Sequence, residues 1–596
     1  MRTLGALGAG LASALLLRLS FPVPGLFPLA WVALVPWLVV LRAERSGHAA
    51  LSSAVMAFLF AGLGLSWQFI VNELAGAGLT LVVGLYLCVA AWLIRAASRH
   101  LRLPLALAAP VVWVGIEWLR SFLFTGFPWL YVGHTQRPFL ALIQVSDIFG
   151  AYGVSFVVVA FNGAVADLVC ALRSGSSARR AAWGVGAAVA IAAAATAYGI
   201  WRLATFRETT GPTVGIIQAN IPQEVKNTQT LETITDIFKR HRQLTLDLLR
   251  EAGGQRLDLI VWPETMVQLP LNRGDLAVVA RFRRELEDLA TRAGCPLLVG
   301  AYTQFGSDRT IEAQADGVVR RITDGEIVIG QTAYLLPHYD VPEDGDQPTR
   351  RILVAKGQEV RRGQRIAEFE SVVRNSAFLV FPRQGFRQGL RYDKNHLVPF
   401  GEYVPLKEYL GFLGKVVPFP KGFSPGTHLN PMKINGWRLG VLICYEDAFP
   451  ELVRGYLSQP RPADFLVNIS NDGWFKGSHQ LDQHLDICTF RAVEFRVGIV
   501  RSVNSGISAV ISPTGRLAAV VHDQAGRRKL VEGTAIARVP VAGELTFYAR
   551  HGDILGLSCL AACAIVGAFA VAMPVARRLR QPPHNRSKTP EANRGS

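Results

Sequence analysis

Charge is scarce in this chain: Asp, Glu, Lys and Arg make up 18% of its 596 residues, against 50% hydrophobic residues. The apolar excess is concentrated at residues 4 to 201 and 554 to 574, while the middle has the composition of an ordinary globular domain. Cysteine is scarcer still. The seven present form an odd set without a C-x-x-C pair, which excludes a disulfide framework and a cysteine zinc site. Cys88, Cys170, Cys559 and Cys563 fall in apolar runs, leaving Cys295, Cys444 and Cys488 in the polar middle, read as two buried thiols and one reactive one. A phosphate-cradling glycine loop is also missing, so no nucleotide is implied. His479 and His484, five apart, would lie about 140° from each other on a helix, so no shared metal is expected there. The net charge of +17 does not imply nucleic acid, because the excess arginines flank apolar spans and fill the last twenty residues.

What is present begins with about seven spans of near-bilayer length, running roughly Leu4 to Phe21, Gly25 to Leu41, Ala49 to Trp67, Ala77 to Ile94, Leu103 to Leu119, Ile148 to Leu172 and Ala181 to Trp201. A last span, Asp553 to Pro574, follows the polar middle. Arg2, then Arg42 and Arg45, then Arg95, Arg99 and Arg102, then Arg173, Arg179 and Arg180 fall on alternate loops, which places those loops and both termini in the cytoplasm. The polar middle is then outside. The first span is read as an uncleaved helix, since Phe21-Pro22-Val23-Pro24 is a poor cleavage site. Arg120 and Arg137 fit this topology worst, and the nearby Phe122-Leu123-Phe124, Phe127-Pro128-Trp129 and Tyr131 are read as interfacial. Glu73 and Glu117 lie near span ends.

In the polar middle, strand-like runs such as Leu257 to Trp262, Trp437 to Ile443 and Ala463 to Ile469 alternate with amphipathic stretches, Leu231 to Glu251 and Asp275 to Ala293 among them. This is an α/β pattern, and chemistry in such sheets gathers at strand ends. Trp262-Pro263-Glu264, Tyr392-Asp393-Lys394 and Ile443-Cys444-Tyr445-Glu446 each stand beside an apolar run. Together they offer a carboxylate, an ammonium and a thiol. A nearby ammonium favours the thiolate, a carboxylate can take the thiol proton, and the ammonium can then face an oxyanion, which is what acyl transfer needs.

These strings, the segment Tyr392 to Pro405 with its Val398-Pro399-Phe400-Gly401-Glu402-Tyr403-Val404-Pro405, and Asn468-Ile469-Ser470-Asn471-Asp472-Gly473-Trp474-Phe475 resemble the nitrilase superfamily, and within it the apolipoprotein N-acyltransferases. The resemblance extends over nearly the whole chain. It implies a polytopic α-helical membrane bundle of about eight transmembrane helices in total and an extramembrane α/β αββα sandwich domain. It also implies a triad of Glu264 as base, Lys394 as oxyanion stabiliser and Cys444 as nucleophile, supported by Glu402 and Glu446, with Tyr445 and Trp474 lining an acyl pocket. By the same resemblance Cys444 takes an acyl chain from a phospholipid and passes it, as a thioester, to the α-amine of a diacylglyceryl-cysteine on an apolipoprotein, without cofactor or metal. The implied location is the bacterial inner membrane, with the catalytic domain periplasmic.

The domains expected are a bundle at 1–206, a catalytic domain at 207–550, a closing helix at 551–577 and a basic cytoplasmic tail at 578–596. Lys394 follows Glu264 by 130 positions, farther than is usual in that family, so a folded insertion is expected at about 306–372. Its Ile352 to Ala367 stretch is similar to a barrel-sandwich hairpin. Further departures are Lys226-Asn227 after Gln218-Ala219-Asn220-Ile221-Pro222-Gln223, where relatives often carry an aromatic residue, Gly473 in place of a common alanine or serine, and Asn395 in place of a basic residue. An apolar arm bearing Phe412 and Phe419 is expected to admit lipid from the side. The rival readings are a membrane-tethered amidase or lipid hydrolase, for which so many spans are excessive as an anchor, and a non-enzymatic lipid- or lipoprotein-binding relative.

Overall fold

The computed structural model describes residues 2–175, 177–337, 349–405 and 422–579. Among these, seven helices are long and apolar enough to cross a membrane: Arg2–Ser20, Ser46–Gly64, Glu73–His100, Leu105–Thr125, Ser146–Ser174, Ala178–Thr205 and Ile554–Ala572. The segment expected as the second span is interrupted. It is a short 3-10 turn, Phe27–Trp31, followed by the helix Val35–Ala43, each with a proline in its first turn. Such a break frees backbone groups that lipid cannot satisfy. Asn162, on the neighbouring helix, supplies both partners: its carbonyl accepts from the Leu34 amide at 2.8 Å and its amide donates to the Ala30 carbonyl at 2.9 Å.

Small residues let these helices approach closely. A Cβ added at Gly199 would lie 1.6 Å from the Ala141 carbonyl oxygen, and one at Gly163 would lie 2.3 Å from that of Leu105. The arginines of alternate loops meet at one end of the bundle, where Arg95 donates to the Glu44 carbonyl at 3.0 Å and Arg99 to that of Arg42 at 2.7 Å.

The polar middle is a pair of face-to-face sheets covered by helices. The first sheet runs, edge to edge, through Gly385–Asp393, Val372–Phe381, Leu297–Phe305, Leu259–Val261, Thr209–Gln218 and Gly533–Val541. The second runs through Met432–Ile434, Trp437–Ile443, Phe465–Ser470, Gly498–Val503, Ala509–Ile511 and Leu517–Val520. Each has a parallel centre: Thr209–Gln218 beside Leu259–Val261 beside Leu297–Phe305, and Trp437–Ile443 beside Phe465–Ser470 beside Gly498–Val503. Strands buried on both faces read as continuous apolar runs. Val214, Ile216, Val261 and Leu298 meet Leu439, Val441, Val467 and Ile499 between the sheets. On the outer face of the first sheet, Ile237, Phe238 and Leu248 of helix Leu231–Glu251 and Phe282 and Leu286 of helix Ala277–Ala293 cover Ile217, Ile260 and Val299. Helices Pro450–Leu457 and Gln480–Phe495 cover the second. The order of layers is therefore αββα.

Between Phe305 and Val372 the chain makes a small β-module of a four-stranded and a three-stranded sheet with its own core, including Val319, Ile327, Val360, Ile366 and Phe369. Phe305 and Val372 are directly paired across the first sheet. The insertion leaves and re-enters at one point, so the sheet carries it without distortion.

A buried ionic cluster joins bundle and sandwich. Arg496, in the left-handed conformation at φ 50°, reaches Asp147 at 2.7 Å and Gln144 at 2.6 Å, and Arg202 and Tyr198 complete the shell of Asp147 at 3.1 and 2.8 Å. Removing one member of such a pair strands the other charge in a dry site. Asp147→Ala should destabilise the protein by about 3 kcal/mol, read as a lowered unfolding temperature in detergent and as new protease cleavage near residue 206; an unchanged profile would show the seam to be held by apolar packing alone.

Candidate active site

The three chemical strings converge at the ends of their strands. Strand Leu259–Val261 runs through Trp262 and Pro263 into Glu264, Gly385–Asp393 runs into Lys394, and Trp437–Ile443 runs into Cys444. Cys444 has φ 55° and Thr265, just after Glu264, has φ 52°. Two left-handed non-glycine residues flanking one cluster are strained positions that the surrounding packing imposes.

Lys394 is the hub, with a side chain 1% exposed. Its Nζ lies 2.9 Å from both carboxylate oxygens of Glu402 and 3.6 Å from Oε1 of Glu264. Asn375 donates to both acids, at 2.7 Å to Glu264 and 3.1 Å to Glu402. The Asn471 amide holds the other Glu264 oxygen at 2.9 Å, and the Val398 amide holds the other Glu402 oxygen at 2.8 Å. Burial works against the Lys394 charge, but Glu402, Glu264 and Cys444 more than offset it, so its pKa stands above the ordinary lysine value. Burial pushes the Cys444 thiol up, Glu264 adds to this and Lys394 opposes it. The resting cysteine is a protonated thiol beside a carboxylate able to take its proton.

Glu446 has a different task from its neighbours. Fully buried, its carboxylate accepts the Ile443 amide at 2.7 Å, the Asn395 and His396 amides at 2.7 and 3.0 Å, and the Tyr392 hydroxyl at 2.8 and 2.9 Å. It bolts the backbone after Lys394 to the backbone before Cys444. Burial raises its pKa to about 7 in spite of these donors.

Behind the Cys444 turn lies a second cluster, which the sequence pattern did not reveal. Arg501 binds Asp447 at 3.1 Å, Asp472 at 3.0 Å and Asn468 at 2.7 Å, and Asn468 in turn donates to the Cys444 carbonyl at 3.1 Å. His484 joins the same two acids, Nε2 at 2.9 Å from Asp447 and Nδ1 at 3.1 Å from Asp472. Both ring nitrogens are thereby occupied. Two carboxylates, one guanidinium and one imidazolium sum to zero, the condition for burying four charges.

The bundle forms one wall. Its loop brings Trp129 to 6.1 Å and Phe127 to 6.5 Å from the Tyr445 ring, and the Tyr445 hydroxyl donates to the Gly126 carbonyl at 3.2 Å. Trp129 and Trp67 both donate to Gln483, and Phe475 meets Trp67 at 5.0 Å. Trp129 and Tyr131 are each 2% exposed and packed on the sandwich rather than spread at a lipid headgroup level, whereas Phe122, Leu123 and Phe124 stand exposed. Trp474 is half-buried in the turn Asp472–Phe475. Phe412 and Phe419 lie outside the described residues.

Sequence reasoning missed Asn375, which no motif marks, and the role of Asn468, Asp472 and Arg501, whose strings were visible without their partners. It also missed Lys226, buried at 2% exposure with Nζ 2.9 Å from Thr265 Oγ1 and 3.3 Å from the Glu264 carbonyl.

The chain matches two family models, one described as the apolipoprotein N-acyltransferase N-terminal domain over residues 13–164 and one as carbon-nitrogen hydrolase over residues 353–542. It is 31% identical over 572 residues to an apolipoprotein N-acyltransferase of Geobacter metallireducens, covering 94% of both chains. It is also 31% identical to one of Rhizobium rhizogenes, covering 74% of this chain and 70% of that one. Among solved structures, a CN-hydrolase superfamily protein from Xanthomonas campestris aligns with 14% identity and a TM-score of 0.30, over 62% of this chain and 97% of that one.

Burial and Arg501 weigh against a charge on His484, yet Asp447 and Asp472 hold its pKa up at about 9. A raised folded-state value contributes stability that is complete below the unfolded value near 6.5 and is lost as pH rises through about 9. His484's share of the unfolding free energy, read as the difference between wild type and His484→Gln in the same buffers, should fall by on the order of 3 kcal/mol across that window. A difference that stays constant with pH would assign the titration elsewhere.

Proposed function

The chain belongs to the apolipoprotein N-acyltransferase family, and from that premise we propose how its residues carry out lipoprotein N-acylation, an acyl transfer with a cysteine nucleophile. Glu264 takes the Cys444 proton, and the sulfur attacks the ester carbonyl of a phospholipid. Lys394, held protonated between Glu264 and Glu402, faces the oxyanion that forms. As the intermediate collapses the carbon–oxygen bond breaks, Glu264 returns the proton to the leaving oxygen, and a lysophospholipid departs. The thioester is then attacked by the α-amine of a diacylglyceryl-cysteine. Glu264 accepts the amine proton, the carbon–sulfur bond breaks, and the thiol is restored. The exchange is ping-pong. It needs no energy source, because a thioester lies near the ester it came from and above the amide it becomes.

The observation that carries this reading is the placement of the Cys444 turn directly against the bundle, with Tyr445 among Phe127 and Trp129. A bundle that merely anchored a soluble amidase would have no reason to wall the nucleophile. Our reading of the topology sets the arginine-lined end of the bundle in the cytoplasm and the sandwich on the periplasmic face of the inner membrane. Tyr445 lines the acyl path.

Intact-mass measurement of the detergent-purified protein after incubation with phospholipid should show an acyl adduct that is absent in Cys444→Ala and is discharged by a diacylglyceryl-cysteine peptide. Discharge to water alone would make the chain a lipid hydrolase. Lys394→Met should slow adduct formation by roughly 10²- to 10³-fold, the usual effect of losing an oxyanion donor; a loss below tenfold would take that role from Lys394.

A further inference from the structure

One buried charge that interacts with both Glu264 and Cys444, Lys226, is not used by the mechanism above. Glu264 and Glu402 share Lys394, which by itself leaves these buried groups one negative charge in excess. Lys226 supplies the missing positive charge. It lies in the short helix Gln223–Asn227, directly after the Gln218 to Gln223 string, and its Nζ donates to the Glu264 carbonyl at 3.3 Å and to the Thr265 hydroxyl at 2.9 Å. Those two groups belong to the strained turn, Thr265 at φ 52°, that aims the Glu264 carboxylate. The turn has no slack on its other side. A Cβ at Gly300 would fall 2.5 Å from both the Pro263 carbonyl oxygen and the Thr265 nitrogen. Gln223, from the same helix, braces the far carboxylate oxygen of Glu264 by accepting from the Asn471 side chain at 2.8 Å, while the Asn471 backbone amide holds that oxygen.

We propose that Lys226 is a positioning residue for the base: its ammonium clamps the Glu264–Thr265 turn and neutralises the cluster, so Cys444 acylation requires Lys226 in its charged form. The idea rests on the assignment of Glu264 and Cys444 given above. Burial lowers the Lys226 pKa to about 7, against the pull of Glu264 and Cys444. The other charged or titratable groups packed around it are His241, on helix Leu231–Glu251, and, across the cluster, Lys394 and Glu402. Glu446, behind Lys394, titrates in the same region. Deprotonating Lys226 restores the negative excess, which opposes formation of a thiolate beside Glu264, and it weakens two charge-assisted hydrogen bonds at once. Acylation should therefore fall on the alkaline side of about pH 7.

The test measures the rate of Cys444 acylation by intact mass across the pH range, with full-length protein in detergent and two donors in parallel, phosphatidylethanolamine and p-nitrophenyl butyrate. Wild type should show an alkaline limb near 7 with either donor. Lys226→Arg, whose guanidinium keeps its proton, should carry the limb to higher pH at a rate within about tenfold of wild type, whereas Lys226→Met should be slower by more than about tenfold and have no such limb. A limb at the same pH in Lys226→Arg, as Glu446 would produce, overturns the proposal, and so does a wild-type rate and profile in Lys226→Met. Unfolding temperatures identify a variant that fails to fold, in which case Lys226→Arg alone decides. If wild type is acylated by the ester but not by the phospholipid, the lipid assignment fails while Lys226 is still judged on the ester.

Discussion

A lysine buried between two glutamates is the interaction on which the remainder of the site depends. Lys394 cannot be withdrawn from water unless Glu264 and Glu402 are ionised beside it, and those carboxylates cannot be buried without Asn375 and the Asn471 and Val398 amides. Asn375 lies in a strand of the first sheet, Asn471 just past a strand of the second, and Val398 in the loop after Lys394. Closing the sandwich is therefore what assembles the charges, and the two carboxylates in turn hold Lys394 as a cation.

The same logic governs the turn that presents the nucleophile. Cys444 is left-handed, and the strain is contained by bonds on both sides of it: Glu446 ties Ile443 to the residues after Lys394, and Asn468 ties the Cys444 carbonyl to the Arg501 cluster. In the mechanism we propose, a thiol and an ammonium fixed in this way cost no rearrangement during reaction. The seam with the bundle extends this rigidity, since Asp147 and Arg496 lock one end and the Trp67, Trp129 and Gln483 contacts lock the other.

The sequence carried a large part of this. Apolar runs and alternating arginines gave the bundle, because both follow from a bilayer's demand for length and for charge outside it. Continuous apolar strands gave the α/β sandwich, and the three strings pointed to Glu264, Lys394 and Cys444, which the structure brings together at strand ends. The interruption of the second span was foreshadowed by Pro28 and Pro36, yet a run of apolar residues outweighs two prolines in any reading by hydropathy. Glu402 and Glu446 were visible as acids near the triad but looked interchangeable.

Their difference was decided only in three dimensions. Glu402 binds the Lys394 ammonium, whereas Glu446 binds backbone amides and never reaches it within bonding distance. Asn375, Lys226 and the Asp447–Asp472–His484–Arg501 cluster belong to the same category: each side chain is ordinary in its own string and acquires a role from a partner 12 to 111 positions away. Local pattern determines which residues become strand, helix or span, because backbone hydrogen bonding and solvent are local constraints. Which charges share a buried site is set by the packing of two sheets and a bundle, and burial makes that pairing obligatory only once the fold has closed.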